Sequence, residues 1–228
     1  MGTRYFTPKL FAFLNDLADN NDRQWFKAHQ ADYEQHVREP ALDFINDFSQ
    51  RLAKISPHFV ADSRKVGGSL FRIQRDTRFG KDKTPYKLNT GLQFRHERGK
   101  DVHVPGFYIN IQPGENFMGL GIWRPESKVA YAVRERMAED PTGWKKAVSG
   151  KRFTDVFTLE GDSLVRPPKG YDADHPMIED LKRKDFIAST KLSQKDITSD
   201  SFMAMFTDNC KRGAPFMRFL CEAVGVPF

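Results

Sequence analysis

Cysteine is scarce in this chain: two in 228 residues, Cys210 and Cys221, in an apolar C-terminal region. The pair offers no CxxC spacing and no disulfide framework, so both thiols read as buried core residues and not as a redox or metal pair. Long apolar runs are missing as well. No stretch reaches the ~18 residues that a membrane helix needs. The opening MGTRYFTPKL has no apolar leader core, and Phe6 stands where myristoylation asks for Ser or Thr. The expectation is a cytoplasmic protein with no membrane partner. The six histidines show no HExxH spacing, and His96 with His103, on adjacent expected strands, reads as a surface pair. GxxxxGK(S/T), GxGxxG and GxSxG are absent, which removes the signatures of P-loop, dinucleotide-binding and serine-hydrolase sites. No metal and no cofactor is expected.

What is present is globular. Thirteen per cent of the residues are aromatic, twenty of them Phe, enough for a sizeable core, and the length suits one domain over residues 1–228. Thr7-Pro8 reads as a cap and first-turn proline, followed by Leu10, Phe13, Leu14 and Leu17 at helical spacing. Asp22 is placed to cap a second helix with Trp25, Phe26, His29 and Tyr33 on one face, and Pro40 to open a third. Residues 1–60 are therefore expected to be helical. From Ser69 the period changes to two, with Leu92 and Phe94, then Phe107, Ile109 and Ile111, then Met118, Leu120 and Ile122 on one face. The loops between them are too short for helical crossovers, so residues 66–124 predict a largely antiparallel sheet of about four strands, residues 69–75 included. Residues 125–228 read as mixed. Pro125 opens a helix, residues 153–166 pair as strands about Glu160-Gly161-Asp162, FIASTKLS is a last strand, and a C-terminal helix breaks near Gly213-Pro215. The fold class is α+β, with helices packed around the sheet.

Charge is unevenly spread. The net charge is +6, and +4 of it falls between Phe71 and Lys87, where Arg72, Arg75, Arg78, Lys81, Lys83 and Lys87 face only Asp76 and Asp82. Arginine forks match phosphate or carboxylate oxygens and lysine supplies a movable point charge. Gly80 and Pro85 restrain the loop, and Phe79 and Tyr86 interleave the cations. The run reads as the tip of a hairpin that grips an anion. A solvated face with each aspartate paired to a neighbouring cation is the alternative.

Two further segments border this reading. In GLGIWRPESK, Trp123 and Arg124 end a strand beside a helix start that favours anions, and Gly119 and Gly121 leave one sheet face bare for a ligand or another backbone. In RPPKGYDADHP, Arg166, Lys169, Tyr171 and His175 sit in a stiff loop. Asn20 and Asn21 in NNDRQWF fit a turn or cap better than a site.

RDTRFGKDKTPYK resembles the signature of the domain-of-unknown-function family 2461, as do FLNDLADNNDRQWF, GFYINIQPGENFMGLGIWRP and PPKGYDADHP with LKRKDFI, in that order. The resemblance implies a shared use for Arg75, Asp76, Arg78, Phe79, Asp82, Lys83, Pro85, Tyr86 and Lys87, and no role for any one of them.

The functional expectation is a site for a phosphate-bearing or other anionic small molecule. Arg72, Arg75, Arg78, Lys83, Tyr86, Lys87, Trp123 and Arg124 are its candidate ligand-binding residues. Were a reaction to follow, Asp76 or Asp82 would be the candidate base and the cations would neutralise developing charge. A nucleic-acid-binding module stacking bases on Phe79, Tyr86 or Trp123, and a ligand-free interaction domain, remain the alternatives.

Overall fold

The structure is a computed structural model that describes residues 2–78, 80–99 and 104–228. Phe79 and His103, both used in the sequence reading, lie outside the described residues.

Pro8 opens α1 (Pro8–Asp19), which buries Leu10, Phe13, Leu14 and Leu17. The Asp22 carboxylate accepts from the amides of Gln24 and Trp25 at 2.8 and 2.9 Å and starts α2 (Arg23–Ala28). The next helix does not begin at Pro40. It runs from α3 (Gln30–Tyr33) through a π-helical turn at Glu34–Arg38 into α4 (Glu39–Ala53). Proline has no amide to place, and the wide turn before it, closed by the Glu39 amide on the Glu34 carbonyl, lets the chain enter Pro40 without a break.

The strands are β1 (Phe59–Val60), β2 (Thr90–His96), β3 (Gly106–Ile111), β4 (Phe117–Ile122), β5 (Thr158–Glu160) and β6 (Phe186–Lys191). They form one sheet in the order β1-β2-β3-β4-β6-β5, and every neighbouring pair is antiparallel. Between and after them lie α5 (Ser127–Glu139), α6 (Pro141–Ser149), α7 (Lys151–Thr154), α8 (Ile178–Leu181), α9 (Gln194–Ile197) and α10 (Phe202–Ala223). The architecture is α+β, as the periodicities indicate.

Four further details differ from the sequence reading. Residues 69–75 join the sheet at the Leu70–Leu92 bridge, while Gln74 bridges Tyr86 outside it, because the chain bends away to form the basic hairpin. Residues 153–166 are not a strand pair: Phe153 lies in α7, β5 pairs with β6, and Ser163 bridges Arg183. The helix after β4 begins at Ser127, two residues beyond Pro125, with Glu126 at the cap position. α10 continues through Pro215, since Phe206 and Cys210 before it and Phe216 and Leu220 after it are buried on one apolar face. That face outweighs the missing hydrogen bond.

The sheet is covered on one side. Leu92, Phe94, Phe107, Ile109, Met118, Leu120 and Phe186 point to the core. There Phe94 meets Phe48 of α4 at 4.7 Å and Phe206 of α10 at 5.8 Å between ring centroids. The alternating positions project to the opposite face, where Tyr108, Phe117, Ile187 and Ser189 stay partly exposed. Cys210 and Cys221 are both buried in α10, and burial pushes their thiols up, as expected of inert core residues. Among the described residues no helix is long and apolar enough to cross a membrane.

Gly121 is a structural requirement of this sheet. Its φ is +118°, and a Cβ there would stand 2.0 Å from the Phe186 carbonyl oxygen on β6. Gly121→Ala is expected to cost roughly 3 kcal/mol by combining backbone strain with a clash against main chain. Urea unfolding monitored by circular dichroism checks this, and a loss below about 0.5 kcal/mol would show that β4 and β6 separate freely at this point.

Candidate functional site

The basic hairpin is built on backbone pairing. The Arg75 amide donates to the Pro85 carbonyl at 2.9 Å, and the Lys87 amide to the Ile73 carbonyl at 2.8 Å, around the Gln74–Tyr86 bridge. Its root is tied to the helical region by Asn21, which donates to the Tyr86 carbonyl at 3.0 Å and accepts from the Tyr86 amide at 3.1 Å. The side chain thus acts as one more residue of strand. The Tyr86 ring is buried and stacks on Phe26 at 4.1 Å, so Tyr86 is an anchor of the hairpin rather than a free stacking surface.

At the tip the cations are engaged within the loop. Arg75 bonds Asp82 and Thr84, and Arg78 forks onto Asp76 at 2.9 and 2.7 Å. The Lys83 ammonium donates to the Thr77 carbonyl at 2.8 Å. The guanidinium beside each carboxylate holds Asp76 well below its ordinary range and Asp82 down to about 2, with the Thr84 amide and hydroxyl assisting at Asp82. Carboxylates held this way are poor proton acceptors. Their geometry is that of arginine partners, and nothing in it supports a base.

The root of the hairpin differs. The Lys87 ammonium donates to the Arg72 carbonyl at 2.8 Å and lies 5.5 Å from the Phe71 ring centroid. Burial lowers its pKa, and the charge on Arg72 lowers it further. A cavity of about 420 Å³ opens there between the hairpin, the π turn and the loop before Leu70. Arg38, Lys65, Arg72 and Arg95 line it, and among the described residues no aspartate or glutamate does. Arg38 is held by Glu34 at 2.7 Å from outside the wall. A second cavity, about 500 Å³, lies at the tip between Arg23, Arg75 and Lys83, with the capping Asp22 in its lining.

The open face of the sheet carries a third cavity, a trough of about 400 Å³. On β4 the outward positions read Phe117, Gly119, Gly121 and, just past the strand, Trp123. Gly106 of β3 lies opposite Gly121, and Tyr108 opposite Gly119. The floor is therefore bare backbone between aromatic rims. Phe71 and Phe117 stand on either side of Tyr108, at 5.9 and 5.8 Å between centroids. Burial pushes the Tyr108 hydroxyl up to about 12, so the ring stays neutral. Trp123 is 48 % exposed, and the Arg124 guanidinium lies 4.6 Å from its ring centroid. Arg124 reaches that position from a left-handed backbone, φ +47°, whose amide donates at 2.7 Å to the buried Asp185. The same carboxylate accepts from the Asp162 amide at 3.1 Å, which ties the strained turn to the loop after β5.

The candidate residues thus fall into three groups. Arg75 and Arg78 pair with Asp82 and Asp76 at the tip, where Lys83 holds the Thr77 carbonyl; Arg72 and Lys87 stand at the root; Trp123 borders the trough and carries Arg124 on its ring. Arg166, Lys169, Tyr171 and His175 line none of these cavities. His96 is a core histidine, with Nε2 on the Pro227 carbonyl at 2.8 Å and Nδ1 accepting from the Arg98 amide. Sequence reasoning missed Arg38, Lys65, Phe71, Gln93, Arg95 and Tyr108. Of these, Gln93 and Tyr108 were legible as outward positions of strands whose inward positions are apolar. Arg38 and Lys65 come from segments remote in sequence.

The tip pairing makes a pH prediction. The folded-state value of Asp82 lies below the unfolded one near 3.9, so its contribution to stability is present above the unfolded value and is lost as pH falls through about 2. Carbonyl-detected NMR titration of the Asp82 side chain should give a midpoint near 2. A midpoint near 4 would mean that Arg75 is free for a ligand.

Among curated proteins no significant match to this chain is found. One family does match: it is described as "Conserved hypothetical protein (DUF2461)" and covers residues 9–219. That span runs from the start of the helical region through the hairpin and the sheet to Phe219 in α10, and the chain belongs to DUF2461.

Proposed function

We propose that the protein binds a phosphate-bearing small molecule, with its anionic end in the cavity at the root of the hairpin. The observation that supports this reading is the wall itself: Arg38, Lys65, Arg72 and Arg95, with no carboxylate among the described lining residues. Arg38 already meets Glu34 and Arg95 is engaged as well, and the four cations around about 420 Å³ together attract a guest anion. Lys87 beside this wall is lowered first by burial and then by the charge on Arg72. Arginine supplies paired donors for phosphate oxygens and lysine a point charge, so the set suits a phosphate group. The volume lies within the usual range for small-molecule sites, roughly 300 to 1,000 Å³. No reaction is assigned. The two carboxylates of the hairpin, Asp76 and Asp82, already pair with arginines.

A nucleic-acid module would extend its basic surface beyond one cavity and lose affinity steeply with salt. Here the arginines at the tip are paired with aspartates, and the cations at the root border an open cavity of small-molecule size.

Thermal unfolding at fixed ionic strength, with inorganic phosphate, pyrophosphate, mononucleotides, and short single-stranded RNA and DNA, tests the reading. A phosphate compound at 100 times its dissociation constant stabilises by about 2.7 kcal/mol, a rise in Tm of roughly 5 to 10 °C for a chain of this size. Lys65→Ala combined with Arg72→Ala should abolish the rise, while Arg75→Ala combined with Lys83→Ala should leave it in place. A rise that survives the first pair contradicts the assignment. So does stabilisation by RNA or DNA alone.

A further inference from the structure

We infer that the trough on the open face of the sheet seats a planar heterocyclic ring, so that the phosphate-bearing molecule of the preceding reading, on which this rests, is a nucleotide. The first support is Gly119. A Cβ there would meet nothing nearer than the edge of the Phe117 ring at 3.7 Å and the Ala188 carbonyl oxygen at 3.9 Å, both ordinary contacts. Glycine inside a strand weakens it, and packing does not require one at this position, in contrast to Gly121. What the missing side chain leaves is a flat floor. Along β4, residues 117 and 123 are about 20 Å apart at the strand rise, and the outward positions between them are both glycine, so a ring can lie on the backbone between the Phe117 and Trp123 rims.

The second support is independent of shape. Gln93 is 8 % exposed and lines the trough, its amide nitrogen 3.7 Å from where a Cβ on Gly106 would stand. Its Oε1 is buried and has no hydrogen-bond partner among the described residues. A buried acceptor left alone is costly, and a ligand in the trough that brings an N–H donor repairs it once the Gln93 amide, which also borders a cavity beside Ser69 and Arg95, turns towards it. A saturated hydrocarbon guest would fill the trough and leave Gln93 unpaired. A nucleobase offers a flat face for the rims and N–H groups at its edge.

The third support is continuity. Phe71 lines both the trough and the cationic cavity, and Lys87 lies over its ring. A ligand apolar and flat at one end and anionic at the other fits the two spaces as neighbours. Arg124 on Trp123 places a second cation at the far rim.

Isothermal titration of the full chain with inorganic phosphate, the four ribonucleoside 5′-monophosphates and the matching nucleosides tests this. At least one mononucleotide should bind at least tenfold more tightly than phosphate, and its nucleoside should bind measurably. Gly119→Val fills the floor with a residue suited to a strand. It should leave Tm unchanged or raised, retain phosphate binding, and remove the mononucleotide's advantage. Gln93→Leu should weaken the mononucleotide about fivefold, one hydrogen bond, and leave phosphate unaffected. The inference is overturned if no mononucleotide exceeds phosphate, or if a folded Gly119→Val protein binds the mononucleotide as the parent does. Binding of a nucleoside with no gain from its phosphate would instead remove the anion reading and leave the ring site standing.

Discussion

An antiparallel sheet presents two faces, and in this protein the helices close only one of them. The inner face is a continuous apolar layer, Phe94 against Phe48 and Phe206 at its centre, and each such aromatic contributes about 2 kcal/mol by leaving water. The outer face has to remain soluble without that cover. It does so at Ser189 and Glu160, but in the middle of β3 and β4 it carries glycine and aromatic residues instead of charge. A trough in backbone, rimmed by rings, is the direct result. The proposed ring site depends on this asymmetry between the two faces.

The basic hairpin adds the second half of the site by a less obvious route. Where the charges are densest in sequence, at the tip, Asp76 and Asp82 pair with Arg78 and Arg75 in local loops of two to seven residues. The cation excess is therefore expressed at the root, where Arg72, with Lys87 on its carbonyl, shares a cavity wall with Lys65, Arg38 and Arg95 from other segments. Asn21 and Phe26 hold that root in place through Tyr86. The NNDRQWF segment is thus structural, as the asparagines suggest, and its effect on function passes through the position of the hairpin.

Much of the fold was legible because local signals and burial agree. Asp22 caps the helix expected of it, the period-two apolar positions of β2, β3 and β4 all face the core, and antiparallel pairing follows from short connections. The failures have physical causes. Pro40 and Pro215 are helix breakers by propensity, yet a π turn ahead of one and a long buried face around the other carry the helix through. β5 found its partner in β6 rather than in the adjacent residues, a long-range choice that no local pattern announces. The site was legible in part. Gly119, Gly121 and Trp123 stood out as a bare face beside a rim, while the cationic wall draws on Arg38, Lys65 and Arg95, which only the tertiary structure brings to Arg72. Clustering of charge along a chain measures density, not availability.

The central claim is that ligand recognition uses the open sheet face together with the hairpin root. Amide and indole chemical-shift mapping of the isotopically labelled protein with a mononucleotide tests it most directly. The account predicts shifts at Gly106, Gly119, Gly121 and the Trp123 indole, with Lys65 and Arg72 moving in the same titration. Shifts confined to residues 75–85, with the glycine floor unmoved, would contradict it.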